Sequence, residues 1–210
     1  MLLLIILLIL AIPFLILLGF FHIIRIGFEN LGIAPELVVA ILILMLVGSV
    51  INIPLGKRRI MEVEQTRFFG LMRKKKFIAQ GLSINVGGAV IPIIISAYLL
   101  TKVPLELVII PVALMIVISN RMAKFIPGKG IAVPAFLIAV IVAIIAFIAA
   151  PDFAPLVAFI AGTIGVLVGA DLLHLPRVMR EGQGILSIGG AGVFDGIFLI
   201  GIISALLAGF

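Results

Sequence analysis

Apolar residues in this chain come in long unbroken runs, not in the alternation of a half-buried strand or the narrow stripe of a soluble amphipathic helix. A bilayer core about 30 Å thick needs roughly 20 apolar residues in helical form, and several of the runs meet that length. Within lipid the backbone must satisfy its own hydrogen bonds, which leaves helices or a closed barrel, and continuous runs favour helices. The pattern predicts an all-α polytopic membrane protein of about seven transmembrane helices, at about 1–21, 37–55, 78–100, 105–120, 131–150, 153–173 and 192–210. The first run lacks a basic leader and a small-residue cleavage site, so an uncleaved span is expected over a signal peptide. The chain reads as one transmembrane domain, residues 1–210. The segment 22–36, with Arg25, Glu29 and Glu36, reads as a loop. The one long polar stretch, 57–76, reads as a loop or an interfacial helix able to touch anionic lipid.

Composition sharpens this. Of 210 residues, 64% are hydrophobic and 11% charged, with a mean hydropathy of +1.48, against about 25% charged in an average soluble domain. Cysteine is absent and histidine occurs twice, at His22 and His174, so disulfides, thiolate nucleophiles and a Cys- or His-built metal cage are excluded. No metal and no cofactor is expected. The net charge of +6 is explained by orientation, not by nucleic acid. Thirteen Lys and Arg fall in the alternate connections 57–76, 121–129 and 174–184, against Arg25 and Lys102 on the opposite side. By the positive-inside rule the N-terminus is cytoplasmic and the C-terminus outside, in a multi-pass protein of the cell membrane.

Among nine acidic residues, two stand within apolar runs: Asp171 near the end of the sixth and Asp195 in the last. An aspartate inside a membrane helix costs about 2.5–3.5 kcal/mol on insertion scales, so two of them flanking one short loop call for a reason. If regular helix begins near Gly192, after the glycine-rich Ser187-Ile188-Gly189-Gly190-Ala191-Gly192, Asp195 falls in its first turn, level with Asp171. Two facing carboxylates in a low-dielectric site share one proton. That arrangement lets one carboxylate activate water while its protonated partner polarises a carbonyl. The glycine stretch suits an extended substrate, whose backbone can pair with it.

The segment from Gly189 through Asp195 to Leu199 resembles the G-x-G-D segment of presenilins, signal peptide peptidases and prepilin peptidases, although Val193 and Phe194 separate Gly192 from Asp195. Gly169-Ala170-Asp171 resembles the region of the first catalytic aspartate. Val133-Pro134-Ala135-Phe136 resembles the P-A-L motif, with Asn85 to Pro92 as a competing candidate. The whole chain also resembles an uncharacterised family of archaeal and bacterial membrane proteins. The resemblance implies an intramembrane aspartic endopeptidase with Asp171 and Asp195 catalytic, and Gly189, Gly190, Gly192, Pro134, Ala135 and Phe136 as substrate contacts. Its partners would be a membrane-protein or peptide substrate and membrane lipid, with no nucleic acid.

Blander readings stand beside these. The aspartates could cap helices, His174 could mark a helix end, Asn85 with Gly87 and Gly88 could serve helix packing, and Pro92, Pro111 and Pro134 could be kinks. A Ser187–His174 pair is a weak hydrolytic alternative. The main rival is a small proton- or ion-coupled transporter, which should show related broken segments in its two halves. Only a faint likeness links 84–92 with 187–196. A scaffold for other membrane proteins is a third possibility.

Overall fold

The structure, a computed structural model, describes residues 2–56, 59–67, 72–126, 130–181, 185–190 and 196–209. It is predominantly helical. Three stretches, Ala11–Asn30, Leu105–Met122 and Pro151–Arg180, are long and apolar enough to cross a bilayer, and four shorter apolar helices accompany them: Pro35–Gly48, Val86–Leu100, Ala135–Ala149 and Gly196–Ala208. In chain order the elements are α1 (Leu2–Asn30), α2 (Pro35–Gly48), β1 (Asn52–Pro54), β2 (Arg59–Arg67) and β3 (Met72–Asn85). A π-wound turn, Val86–Val90, leads into α3 (Ile91–Leu100), followed by α4 (Leu105–Met122), β4 (Lys124–Ile126), β5 (Gly130–Ala132) and α5 (Ala135–Ala149). Then come α6 (Ala154–Val166), whose continuation Leu167–Leu172 is again π-wound, α7 (Leu175–Glu181), β6 (Ile185–Ile188) and α8 (Gly196–Ala208).

α6 is the central helix. Ala154, Val157, Ala158, Phe159, Ile160, Ala161, Gly162, Thr163, Gly165 and Val166 are all buried, and α3, α4, α5 and α8 pack around it. Outer helices turn bulky apolar side chains outward: Phe14 on α1, Ile110 on α4 and Ile148 on α5 are 60%, 64% and 76% exposed. A surface of that kind is stable against lipid, not water.

Helix contacts depend on small residues, as expected where no hydrophobic force separates helix from lipid. A Cβ added at Gly165 would collide with Met115, and one at Gly169 with Ser119 and the Ile116 carbonyl. α4 and the α6 rod therefore touch backbone to backbone along a G-x-x-x-G ridge. The Ser119 hydroxyl closes the crossing by donating to the Gly165 carbonyl at 2.7 Å. Gly165→Ala is expected to cost about 1–3 kcal/mol through overpacking, read as a lowered melting temperature in detergent. An unchanged melting temperature would rule out so close a crossing.

Connections alternate between the two ends of the bundle. At one end Lys102 Nζ donates to the Gly32 carbonyl at 3.4 Å, and Gly209 abuts the Asn30 side chain. The strands lie at the other. β3 pairs antiparallel with β2 over Met72–Gln80, then antiparallel with β1 over Ser83–Asn85, and parallel with β6 over Gly81–Ile84. β4 and β5 form a separate hairpin.

Several local expectations are corrected by these elements. The polar segment 57–76 contributes strands β2 and β3 where its residues are described, not an interfacial helix, and β3 runs on to Asn85, so the third span starts at Val86 and not near residue 78. The second span ends at Gly48, before β1. The segment 22–36 is not all loop. α1 continues to Asn30 because Arg25 Nε donates to Glu29 Oε1 at 2.8 Å, one helical turn away. Pairing at i,i+4 makes the polar end of the helix compatible with helical winding. Of the three candidate kinks, Pro111 lies inside α4, whereas Pro134 is the N-cap of α5. Pro92 is the second residue of α3, one residue past the π-wound turn, where its missing N–H costs no established helical bond.

Candidate functional site

Asp171 sits half-buried in the π-wound continuation of α6. π-turns widen a helix and recur at functional sites. Asp171 is positioned from below by Gly169, whose lack of a side chain lets the helix lie against α4. The Gly169 carbonyl meets His174 Nδ1 at 3.3 Å, which places His174 as a helix-end residue.

The facing element is β6 and the turn after it. Gly189 N–H points at Asp171 Oδ2, 3.4 Å away. Gly189 has φ +64°, a conformation that L side chains enter at a cost of about 1–2 kcal/mol. Space forbids a side chain as well: a Cβ there would lie 2.5 Å from Ala89 Cβ and 2.7 Å from Ala89 N. Gly189 is therefore wedged between Asp171 and the π-wound turn that opens α3. Gly190 is exposed, and a Cβ on it would strike Ser187.

A buried amide holds this end of the sheet. Asn85, 1% exposed, accepts from Gly88 N–H at 2.7 Å through Oδ1. Its Nδ2 donates to the Ser49 carbonyl at 2.7 Å and to Asn52 Oδ1 at 3.2 Å. The same Asn52 oxygen accepts from the Ser187 hydroxyl at 2.5 Å. Asn85 thus caps the turn into α3 and ties together β1, β3 and β6, a structural task. Gly87 lets that turn approach Gly48 and Ser49 at the end of α2. Ser187 spends its hydroxyl on Asn52, away from any pairing with His174. Asn85→Leu is expected to destabilise the protein by roughly 1–3 kcal/mol, because buried partners lose their hydrogen bonds. Faster amide exchange at Gly88 would report the loss, and unchanged exchange would contradict the capping role.

Of the remaining candidates, Gly192 and Asp195 lie outside the described residues. The first residue of α8, Gly196, lies beside Val133: a Cβ on it would be 3.9 Å from Val133 Cγ2. The start of α8 and the Val133-Pro134-Ala135-Phe136 segment are therefore neighbours. Pro134 is exposed and Ala135 half-buried, while Phe136 is 69% exposed. Among the described residues no three His, Asp or Glu side chains gather as a metal site would require.

The elements that the sequence did not reveal are the bond from Ser187 to Asn52 and the Ser119–Gly165–Gly169 crossing. Only the last had a readable signal, the four-residue spacing of its glycines.

No curated protein and no solved structure matches the chain. A family model does, over residues 46–207, a stretch that takes in the whole sheet, Asp171 and Asp195 and leaves out α1. More than half of the chain is covered, and the protein belongs to the family described as "Protein of unknown function (DUF1614)".

Proposed function

We propose that this protein is an intramembrane aspartic endopeptidase that hydrolyses peptide bonds of membrane-spanning or membrane-proximal substrates, with Asp171 and Asp195 as its reacting pair. The observation that carries the reading is the contact between Asp171 and the end of β6. A strand terminates at a carboxylate, and among the described residues nothing pairs with the outer edge of that strand. An extended peptide adding there would gain backbone hydrogen bonds and bring a scissile bond toward Asp171. A helical substrate must unwind first, since its peptide groups are engaged in its own hydrogen bonds. Gly190, Gly192 and the Pro134-Ala135-Phe136 segment are the further substrate contacts in this reading.

In the reaction, one carboxylate takes a proton from water as the oxygen adds to the scissile carbonyl carbon, and its protonated partner donates to the carbonyl oxygen. Collapse of the tetrahedral species breaks the C–N bond, and a carboxyl proton passes to the departing amine. The charge asymmetry of the connections gives the orientation of the proposal: N-terminus and sheet cytoplasmic, C-terminus outside, in the cell membrane.

One observation favours the transporter reading instead. Leu82-Ser83-Ile84 pairs in register with Leu186-Ser187-Ile188, and each triplet feeds a glycine turn and then an apolar helix. This is the duplicated, interrupted pattern that a coupled transporter uses. The two are separated by reconstituting the purified protein with a reporter transmembrane peptide and, in parallel, with an internal pH dye. Cleavage that disappears in Asp171→Ala and Asp195→Ala supports the peptidase. Proton uptake without cleavage, lost in the same variants, transfers the site to the transporter.

A further inference from the structure

Four cations stand at the end of the bundle that holds Asp171. Arg121 lies in the last turn of α4, and Lys124 opens β4. Arg177 and Arg180 are three residues apart on α7 and so share a helical face. All four are exposed. Two contacts tie them to the site. A Cβ on Gly169, two residues before Asp171, would lie 3.1 Å from Asn120 N, so Arg121, the next residue, stands beside the π-wound segment. Arg177 Cζ lies 5.8 Å from the centre of the Phe125 ring, which fastens α7 to β4. A guanidinium held over a ring is already ordered when it meets a carboxylate. α7 itself is strung between Asp171 and β6, the strand on which the substrate is proposed to add. Over the stretches 119–126 and 169–181 the acids are Asp171, the reacting group, and Glu181.

Orientation in the membrane does not account for these four charges. It counts Lys and Arg by number, and the 57–76 connection alone supplies eight of the thirteen on that side. We infer that Arg121, Lys124, Arg177 and Arg180 receive an acidic flank on the cytoplasmic side of the membrane-spanning substrate. Guanidinium forks match carboxylates in shape and charge. Most spans carry Lys and Arg on that flank, and the same four charges repel them. Selection by repulsion as well as attraction confines the site to a minority of membrane proteins. This inference rests on the peptidase reading and names its substrate class: spans with Asp or Glu just cytoplasmic of the scissile bond.

Three reporter peptides with one common span, carrying Glu, Gln or Lys at successive positions of the cytoplasmic flank, test it. The full-length protein is reconstituted in phosphatidylcholine. Affinity is read on the Asp171→Asn variant, by energy transfer from the peptide to a label on the N-terminus, and cleavage is read on the wild type. The Glu flank should bind about tenfold more tightly than the Lys flank at low salt, with Gln between them. Cleavage should follow in KM with kcat unchanged, and high salt should compress the ranking. Combining Arg121→Glu, Arg177→Glu and Arg180→Glu should invert it, which a poorly folded variant cannot imitate. The salt titration on the unaltered cations keeps the test independent of whether that variant folds. Equal affinities, or a ranking that the reversed charges leave unchanged, would overturn the inference, while cleavage would still uphold the peptidase. A ranking in affinity with no cleavage of any peptide would uphold the acidic preference and end the peptidase reading. Loss of the ranking in an equimolar mixture with phosphatidylglycerol would overturn it in favour of lipid headgroups.

Discussion

Asp171→Asn is expected to lower the rate of reporter cleavage by about 10²–10⁴-fold, the range that a positioned acid–base group supplies. Asn keeps the size of the side chain and an oxygen able to accept from Gly189 N–H, so that contact is retained. The loss should therefore appear in kcat with the melting temperature preserved. Asp195→Asn should behave alike, and the double variant should be scarcely worse than either single one, because groups that act as one unit are not additive. Additive losses in the double variant would mean that the two carboxylates work apart. Wild-type cleavage by both single variants would end the mechanism.

Gly189→Ala is expected to be strongly damaging at the candidate site. Two independent penalties meet there. The left-handed conformation, φ +64°, costs an alanine about 1–2 kcal/mol. The new methyl would also press on Ala89 Cβ and N, and forcing such an overlap typically costs a further 1–3 kcal/mol. Because Gly189 contacts Asp171, catalysis should fall along with stability. Adding Ala89→Gly removes the contact with Ala89 Cβ but leaves the backbone overlap and the strained φ, so it should restore part of the melting temperature and no more. Full restoration would show that the turn's conformation is unimportant. No effect of Gly189→Ala at all would show that the turn is not held as described.

The helical part of this fold was legible because hydrophobic runs report burial in lipid directly, whatever the neighbouring helices are. The sheet was not. Leu82-Ser83-Ile84-Asn85 alternates as a strand should, yet it lies between a basic run and an apolar run, and its parallel partner is about a hundred residues further on in sequence. Pairing at that separation leaves no local trace. The likeness between 84–92 and 187–196 was the one available hint, and its meaning became apparent only when the two triplets were found side by side. At Arg25 and Glu29 the error ran the other way. Polarity alone suggests the end of a helix, but a pair four residues apart neutralises itself and lets the winding continue. For the candidate site, the place of Asp171 in the chain was legible and the turn that faces it was not. An aspartate in an apolar run announces itself by its insertion cost, whereas the turn that meets it depends on a glycine conformation that composition does not encode.

The unbroken length of β3 has a further consequence. A strand cannot slip by one residue at one point alone, since a slip exchanges the two sides of every position along it. Asn85 is anchored by its side-chain amide to Ser49 and Asn52, and Lys74 lies eleven residues upstream on the same rod, about 36 Å away at full extension. The parity of the whole ribbon is therefore decided at its buried root. Losing that single amide would not only loosen the turn into α3. It would free the distant ribbon to shift its register against β1 and β6.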